Sequence, residues 1–191
     1  MLSSHLKAMG LRQLENSSCL FTGILLPGEA PIYVGLYVHD IIYFSANNAV
    51  ERKFEELLSS IGTVDFMGQV SLFLGTEFTS VEHEDGNLMV TLTQQLFTEN
   101  LAESLAIDCL HQSTFLSPYR SGCSIDSILF EPMSPTAWNE LRLKYQSLVG
   151  SLNWLAHTTR PDISTVVLLL AQHQSEPSTG HLEAARYVVE Y

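Results

Sequence analysis

Two short apolar runs separated by two residues constrain this chain more than anything else in it. Ile32 to Val38 and Ile41 to Phe44 are rich in β-branched and aromatic side chains, with His39-Asp40 between them. That spacing predicts two antiparallel strands joined by a tight hairpin, both buried. It also sets one carboxylate at the tip of the hairpin, with an aromatic residue, Tyr37, just before it.

The flanking segments predict a mixed chain that becomes helical toward its end. Ser3 to Leu14 predicts a helix weakened by Gly10. Asn47 or Asn48 is placed to cap a second helix, in which Val50, Phe54, Leu57, Leu58 and Ile61 fall at helical spacing until Gly62. Val64 to Phe66 and Ser71 to Val81 return to strand character. Asp85-Gly86 predicts a turn before the alternating Leu88, Val90 and Leu92. Thr93 is expected to cap a helix through about Ile107, and residues 111–136, rich in Ser and Pro, predict a linker or extended arm. Trp138 to Ala156, Ile163 to Gln174 and His181 to Tyr191 predict three helices, with Asp162 capping the second of them. Trp138, Trp154 and Tyr187 are expected in their core. No internal repeat or low-complexity tract is visible, and both ends are expected to be cuts through a larger protein.

Charge limits the functions open to such a chain. Nine Lys and Arg against 21 Asp and Glu give a net charge of −12, and no basic run breaks the acidic background. The average surface therefore repels a phosphate backbone, which argues against nucleic-acid binding. Hydrophobic residues at 46% and charged residues at 16% predict a folded chain. Cys19, Cys109 and Cys123 form no C-x-x-C pair, so zinc and redox-couple readings lose support and a reduced intracellular chain is expected. No run approaches the roughly 20 apolar residues of a membrane helix, and no secretory leader is seen, so neither membrane insertion nor secretion is expected. There is no G-x-S-x-G, Walker A, G-x-G-x-x-G or H-E-x-x-H motif. The seven histidines lie at no metal-ligand spacing on any one helix, and structural roles are expected for them.

Tyr37-Val38-His39-Asp40 differs by one residue from Y-x-D-D. Paired carboxylates at such a turn, helped by another strand, suit a pair of divalent ions that clamp the attacking and leaving oxygens of a phosphoryl transfer. Ser18 to Phe21 precedes this hairpin, and further segments follow it in order: Asp65 to Gly68, Phe73 to Glu77, Leu92 to Gln94, Thr114 to Pro118, Tyr145 to Leu155 and Thr159 to Ile163. Together they resemble the reverse transcriptases of Ty1/copia-type retrotransposons, whose D-x-x-G, F-L-G, Y-x-x-L-V-G-S-L and T-R-P-D-I signatures they match over nearly the whole chain.

The resemblance implies an α+β fold: a partial reverse-transcriptase palm with an antiparallel sheet from about Phe21 to Leu92, a helix against one face, and a C-terminal helical region like thumb and connection. The corresponding divisions are 1–110, 111–136 and 137–191. It implies an RNA-directed DNA polymerase, with two Mg2+ ions, dNTP and an RNA or DNA primer-template as partners. Phe73, Leu74 and Gly75 are similar to a primer-grip hairpin, although apolar strands with a glycine at the bend are more often core and turn, and that structural role is the one expected. Asp40 matches a metal-holding carboxylate, while His39 stands where the family has the other Asp of the turn. The fingers and first catalytic Asp of the family are expected to correspond to sequence upstream of Met1.

Putting a neutral imidazole where a carboxylate faces a divalent ion loses several kcal/mol, taking an effective dielectric of about 20. The expectation is therefore a fragment of that family, inactive as it stands, that binds Mg2+ poorly. Imidazole suits zinc better than magnesium, but one His and one Asp do not make a site. The alternatives are a non-enzymatic protein-interaction module or one part of a split active polymerase. Association through an exposed sheet edge is also expected.

Overall fold

In the computed structural model, residues 2–82, 87–107, 115–119, 124–125, 128–129 and 131–191 are described. The expected turn at Asp85-Gly86, residues 111–114, 120–123, 126–127 and 130 of the expected arm, and Cys109 lie outside them. The chain is α+β, with antiparallel sheets and six α-helices among the described residues. It divides into two compact units, Met1–Val70 and Ser71–Tyr191.

The first unit opens with α1 (Leu2–Ala8), which is shorter than the helix expected over Ser3 to Leu14. Gly10 adopts a φ of +91°, a conformation glycine takes without a Cβ penalty, and the chain turns there into strand β1 (Arg12–Leu14). Then come β2 (Ser17–Gly23), β3 (Ile32–Tyr37), β4 (Asp40–Phe44) and α2 (Asn48–Ser59). The four strands pair antiparallel in the order β1-β2-β3-β4.

Period-two alternation puts Ile32, Val34 and Leu36 on one face of β3, with Ile41 and Tyr43 on the same face of β4. Against that face α2 lays Val50, Phe54 and Leu58, one helical turn apart, and Leu6, Leu11 and Phe21 complete the core. Asn47 caps α2 by accepting the Ala49 N–H through its side chain at 2.8 Å. The helix stops at Ser59, so Ile61, expected on its apolar stripe, lies beyond it and is exposed. Tyr43 ties the sheet to α2 by donating its hydroxyl to Glu55. Burial, then that hydrogen bond to a carboxylate, pushes the phenol up from its ordinary range.

The second unit holds β5 (Leu72–Phe73), β6 (Thr76–Glu82) and β7 (Leu88–Thr93) in a separate three-stranded sheet. The single sheet expected from Phe21 to Leu92 is therefore two sheets. Val64 to Phe66 forms no strand, and the run from Ser71 to Val81 is broken by a tight turn at Leu74-Gly75.

Next come α3 (Gln95–Ser104), α4 (Pro135–Thr158), a 3-10 turn at Pro161–Ile163, α5 (Ser164–Ala171) and α6 (Thr179–Glu190). The cap of α3 is Gln94, not Thr93, which ends β7. In place of a side chain from the cap itself, the Glu77 carboxylate accepts the Leu96 N–H at 3.3 Å and the Thr93 hydroxyl at 3.2 Å. An acidic group there opposes the positive end of the helix dipole.

Along α4 the buried residues Tyr145, Leu148, Val149, Leu152, Leu155 and Ala156 form one stripe. They pack with Val166, Val167 and Leu170 of α5 and with Ala185 and Val188 of α6. The aromatic at the centre is Tyr145, fully buried, rather than the expected tryptophans: Trp154 is 38% exposed and Trp138 lies beneath the Arg142 guanidinium. Asp162 does not cap α5. It sits inside the 3-10 turn and forms a two-oxygen pair with Arg160, at 2.9 Å for the shortest contact. That hydrogen-bonded pairing holds its carboxyl below the usual range. No helix among the described residues is long and apolar enough to cross a membrane.

Candidate functional site

The hairpin expected around His39-Asp40 exists, displaced by one residue. Tyr37 and Asp40 face each other as the last pair of the ladder, so the two turn residues are Val38 and His39, and Asp40 begins β4. The reason is local geometry. A two-residue loop that matches strand twist needs positive φ at one or both central positions, and here Val38 supplies it, with φ +52°. Asp40 is then free to keep extended backbone.

A β-branched residue in the left-handed region is a backbone outlier, of a kind that costs about 1–3 kcal/mol and collects at functional turns. Val38→Gly relieves that strain while adding about 0.5–1 kcal/mol of unfolded-chain entropy. The strain is the larger effect, so Val38→Gly is expected to stabilise the chain by about 1 kcal/mol in urea unfolding. A loss of stability would show that the valine is not strained.

Register assigns Asp40 a face. As the partner of Tyr37 it lies with Tyr33, Gly35 and Tyr37 of β3, Ile42 and Phe44 of β4, and Leu20 of β2. This is the face opposite α2, and it is open: Leu20 is 45% exposed, Tyr33 44%, Tyr37 51% and Phe44 63%. The strands are thus buried on one face only. Tyr33 and Phe44 stack across the ladder with centroids 5.1 Å apart and planes 17° from parallel. A Cβ on Gly35 would stand 2.9 Å from Cγ2 of Ile42, so glycine there lets Ile42 lie over β3. The result is an apolar, aromatic surface ending in a single carboxylate.

Chemically the turn is sparse. Its donors are the exposed carboxylate of Asp40 and the exposed imidazole of His39. No group of three or more His, Cys, Asp or Glu that could hold a metal ion exists among the described residues. Magnesium asks for near-octahedral oxygen ligation, and one carboxylate beside an imidazole does not fit a pair of such ions. Asp65, in the first unit, is exposed in a segment with no regular structure. Glu77 is occupied at the start of α3.

Phe73, Leu74 and Gly75 do form a hairpin. Phe73 pairs with Thr76, and Leu74 and Gly75 are its two turn residues, with φ of +52° and +74°. The pattern of positive φ at both positions explains the glycine as a turn residue. The open aromatic face was missed in the sequence, although the alternation Tyr33, Gly35, Tyr37 could have shown it. Also missed was a pair of stacked imidazoles, His173 and His181, which come from separate segments and carry no sequence spacing to betray them.

The chain is similar to proteins of transposons and to retrovirus-related Pol polyproteins. Over its full length it is 30% identical to a transposon Ty5-1 protein of Saccharomyces cerevisiae, covering 57% of that protein. It is 28% identical over 84% of its length to an uncharacterized mitochondrial protein of Arabidopsis thaliana, covering 60% of it. Over its full length it is 27% identical to the retrovirus-related Pol polyprotein from transposon RE1 of Arabidopsis thaliana, of which it spans 12%. The chain thus spans little more than half of the two shorter relatives and a small part of the polyprotein. No family model matches it, and no solved structure does.

Proposed function

We propose, on the premise that this chain is a homologue of Ty5/copia-type transposon proteins and retrovirus-related Pol polyproteins, that it corresponds to the reverse-transcriptase palm-to-thumb region of such a polyprotein and does not itself synthesise DNA. The observation that carries the reading is the placement of Tyr37-Val38-His39-Asp40 at a two-residue hairpin turn, with Asp40 at the end of an open sheet face. A polymerase turn of this kind must present its carboxylates to a duplex lying on the sheet. Here Asp40 is the one carboxylate at the end of that open face, with His39 in place of the second.

Two further features support inactivity. The nine basic residues against 21 acidic ones leave a net charge of −12, which disfavours a primer-template. Of those basic groups, Lys53 and Arg160 are paired with Glu56 and Asp162, and Arg186 donates to the Leu105 carbonyl at 2.9 Å. Mg2+, dNTP and primer-template remain the cofactor and partners of the family reading, with no step of the chemistry assignable to the residues present.

The test is primer extension by the 191-residue chain and by its His39→Asp variant, with magnesium and with manganese. Neither is expected to yield product, because restoring one carboxylate does not assemble a two-metal site. The same variant, fused behind the fingers and first palm strands of a related active reverse transcriptase, is expected to give at least trace product. Extension by the chain alone would overturn the assignment of inactivity, and Asp65 and Glu77 would be the next carboxylates to replace.

A second reading, a non-enzymatic interaction module, is favoured by β7. Every residue of this edge strand is exposed, including Leu88, Met89, Val90 and Leu92. An unpaired apolar edge is a template for strand addition by another chain. Sedimentation of the preparations used for primer extension separates the readings, since a module of this kind associates as its concentration rises.

A further inference from the structure

The strands β1 to β4 contain two charged residues, Arg12 in β1 and Asp40 in β4. Register puts both on the face away from α2. Arg12 pairs with Thr22, Thr22 with Tyr33 and Tyr33 with Phe44 in one row across the sheet, whereas Asp40 pairs with Tyr37 in a row four residues further along β3. Both charges are exposed, and among the described residues neither forms an ion pair.

β1 and β4 are the two edges of the sheet, three strand spacings apart. That is about 14 Å across, and four residues of strand add about 14 Å along it, so the charges stand at diagonal corners roughly 20 Å apart. An Arg and an Asp side chain together do not reach that far, and the pair cannot close within one molecule. Between the corners lies the apolar surface of Leu20, Tyr33, Tyr37 and Phe44, each about half exposed.

We propose that a second copy of this chain covers this face, in a two-fold dimer that sets Arg12 of each copy against Asp40 of the other. The charge pattern selects that occupant. A partner of uniform charge, whether a basic peptide or a phosphate backbone, is attracted at one corner and repelled at the other. A matching partner needs opposite charges at the same diagonal spacing, and an identical copy has them. Rotation by 180° about an axis lying in the interface along the other diagonal exchanges the two corners, so both pairs form at once. The strands of the two copies then cross near a right angle, one of the two arrangements in which sheets pack face to face.

The area fits a reversible dimer. Three aromatic side chains of about 150–250 Å² each, half exposed, offer roughly 300 Å² per copy, and Leu20 and Ile42 extend it. A patch of about 300–600 Å² is the largest that a typical monomer leaves open. Two such patches with their polar rims bury roughly 1,000–1,200 Å² in total, the range of weak and transient interfaces. A dissociation constant on the order of 10–100 µM is therefore expected. This surface is separate from the β7 edge, which would add a strand instead of covering a face.

The experiment is sedimentation equilibrium of the full chain over concentrations spanning that constant, for wild type, Arg12→Glu, Asp40→Lys, an equimolar mixture of the two variants, and Val90→Lys. Wild type is expected to dimerise. Each reversal turns two attractive pairs into two repulsive ones and should weaken the dimer about tenfold, while the mixture, in which both pairs are again opposite, should regain wild-type association. Bulk charge predicts something else: Arg12→Glu makes the chain more acidic and Asp40→Lys less so, and repulsion between acidic chains would move the two variants in opposite directions. Val90→Lys, in β7, should leave the dimer unchanged. A wild type that stays monomeric overturns the proposal, as do reversals that act in opposite directions or a mixture as dissociated as its components. Association that survives both reversals and disappears in Val90→Lys belongs to strand addition at β7 and overturns it as well.

Discussion

Tyr145→Ala is expected to destabilise the Ser71–Tyr191 unit by about 3–5 kcal/mol, the range for removing a large buried aromatic. Tyr145 is fully buried at the centre of the packing of α4 with α5 and α6, where Leu148, Val149, Leu152, Val166 and Leu170 would be left around a cavity. Its hydroxyl donates to the Leu170 carbonyl at 2.6 Å, one of the last carbonyls of α5 and so one that the helix does not fully satisfy. Tyr145→Phe removes only that bond. Because Leu170 O also accepts the His173 N–H at 3.1 Å, it is not orphaned, and the cost should be about 1 kcal/mol.

The two variants thus separate packing from hydrogen bonding at one position. They also separate pH behaviour. Burial raises the phenol, so folding keeps it neutral. That contribution is present below the ordinary tyrosine value of about 10 and is lost as pH rises above it. Tyr145→Phe should therefore unfold less readily in alkali than its stability at pH 7 would suggest. Urea unfolding followed by Trp138 and Trp154 fluorescence checks all of this, and a Tyr145→Ala loss under 2 kcal/mol would contradict the central position assigned to the ring.

What could be read in the sequence follows from what local chemistry specifies. The existence of β3, β4, α2, α4, α5 and α6 was legible, because each carries a strong period or a punctuating residue such as Asn47 or Pro161. The placement of the hairpin turn was off by one. Residue types suggested His39-Asp40 as loop formers, whereas the ladder pairs Tyr37 with Asp40 and puts the strained Val38 in the loop. Propensity argues against valine there, so the error has the form expected when tertiary pairing overrides local preference.

Strand β1 was hidden for the opposite reason. Arg12 to Leu14 has no strand signal of its own and becomes a strand by pairing with β2. Glu77 at the start of α3 and the contact between His173 and His181 were out of reach because they join residues far apart in the chain. At the candidate site the identity of the turn was legible, but the face on which Asp40 sits was not. That needed the register.

Phe54→Ala is the corresponding test for the Met1–Val70 unit, with an expected loss of about 3–5 kcal/mol. Phe54 is fully buried on α2, between Val50 and Leu58, and meets Tyr43 edge to face with centroids 5.0 Å apart and planes at 62°. Through this ring α2 covers the inner face of β3 and β4, so its removal opens a cavity directly behind the hairpin that ends in Val38 and His39. Phe54→Leu keeps most of the apolar volume and should cost less than half as much. Both tryptophans, at 138 and 154, lie outside this unit. The readout should therefore be amide exchange of β3 and β4, whose protection depends on the stability of the sheet. Protection of the Val34 and Tyr43 amides should fall by about two to three orders of magnitude in Phe54→Ala, since each 1.4 kcal/mol is a factor of ten. If protection falls in β1 and β2 but not in β3 and β4, α2 does not support the hairpin. The position of Asp40 would then depend on the turn alone, and relieving Val38 would move it.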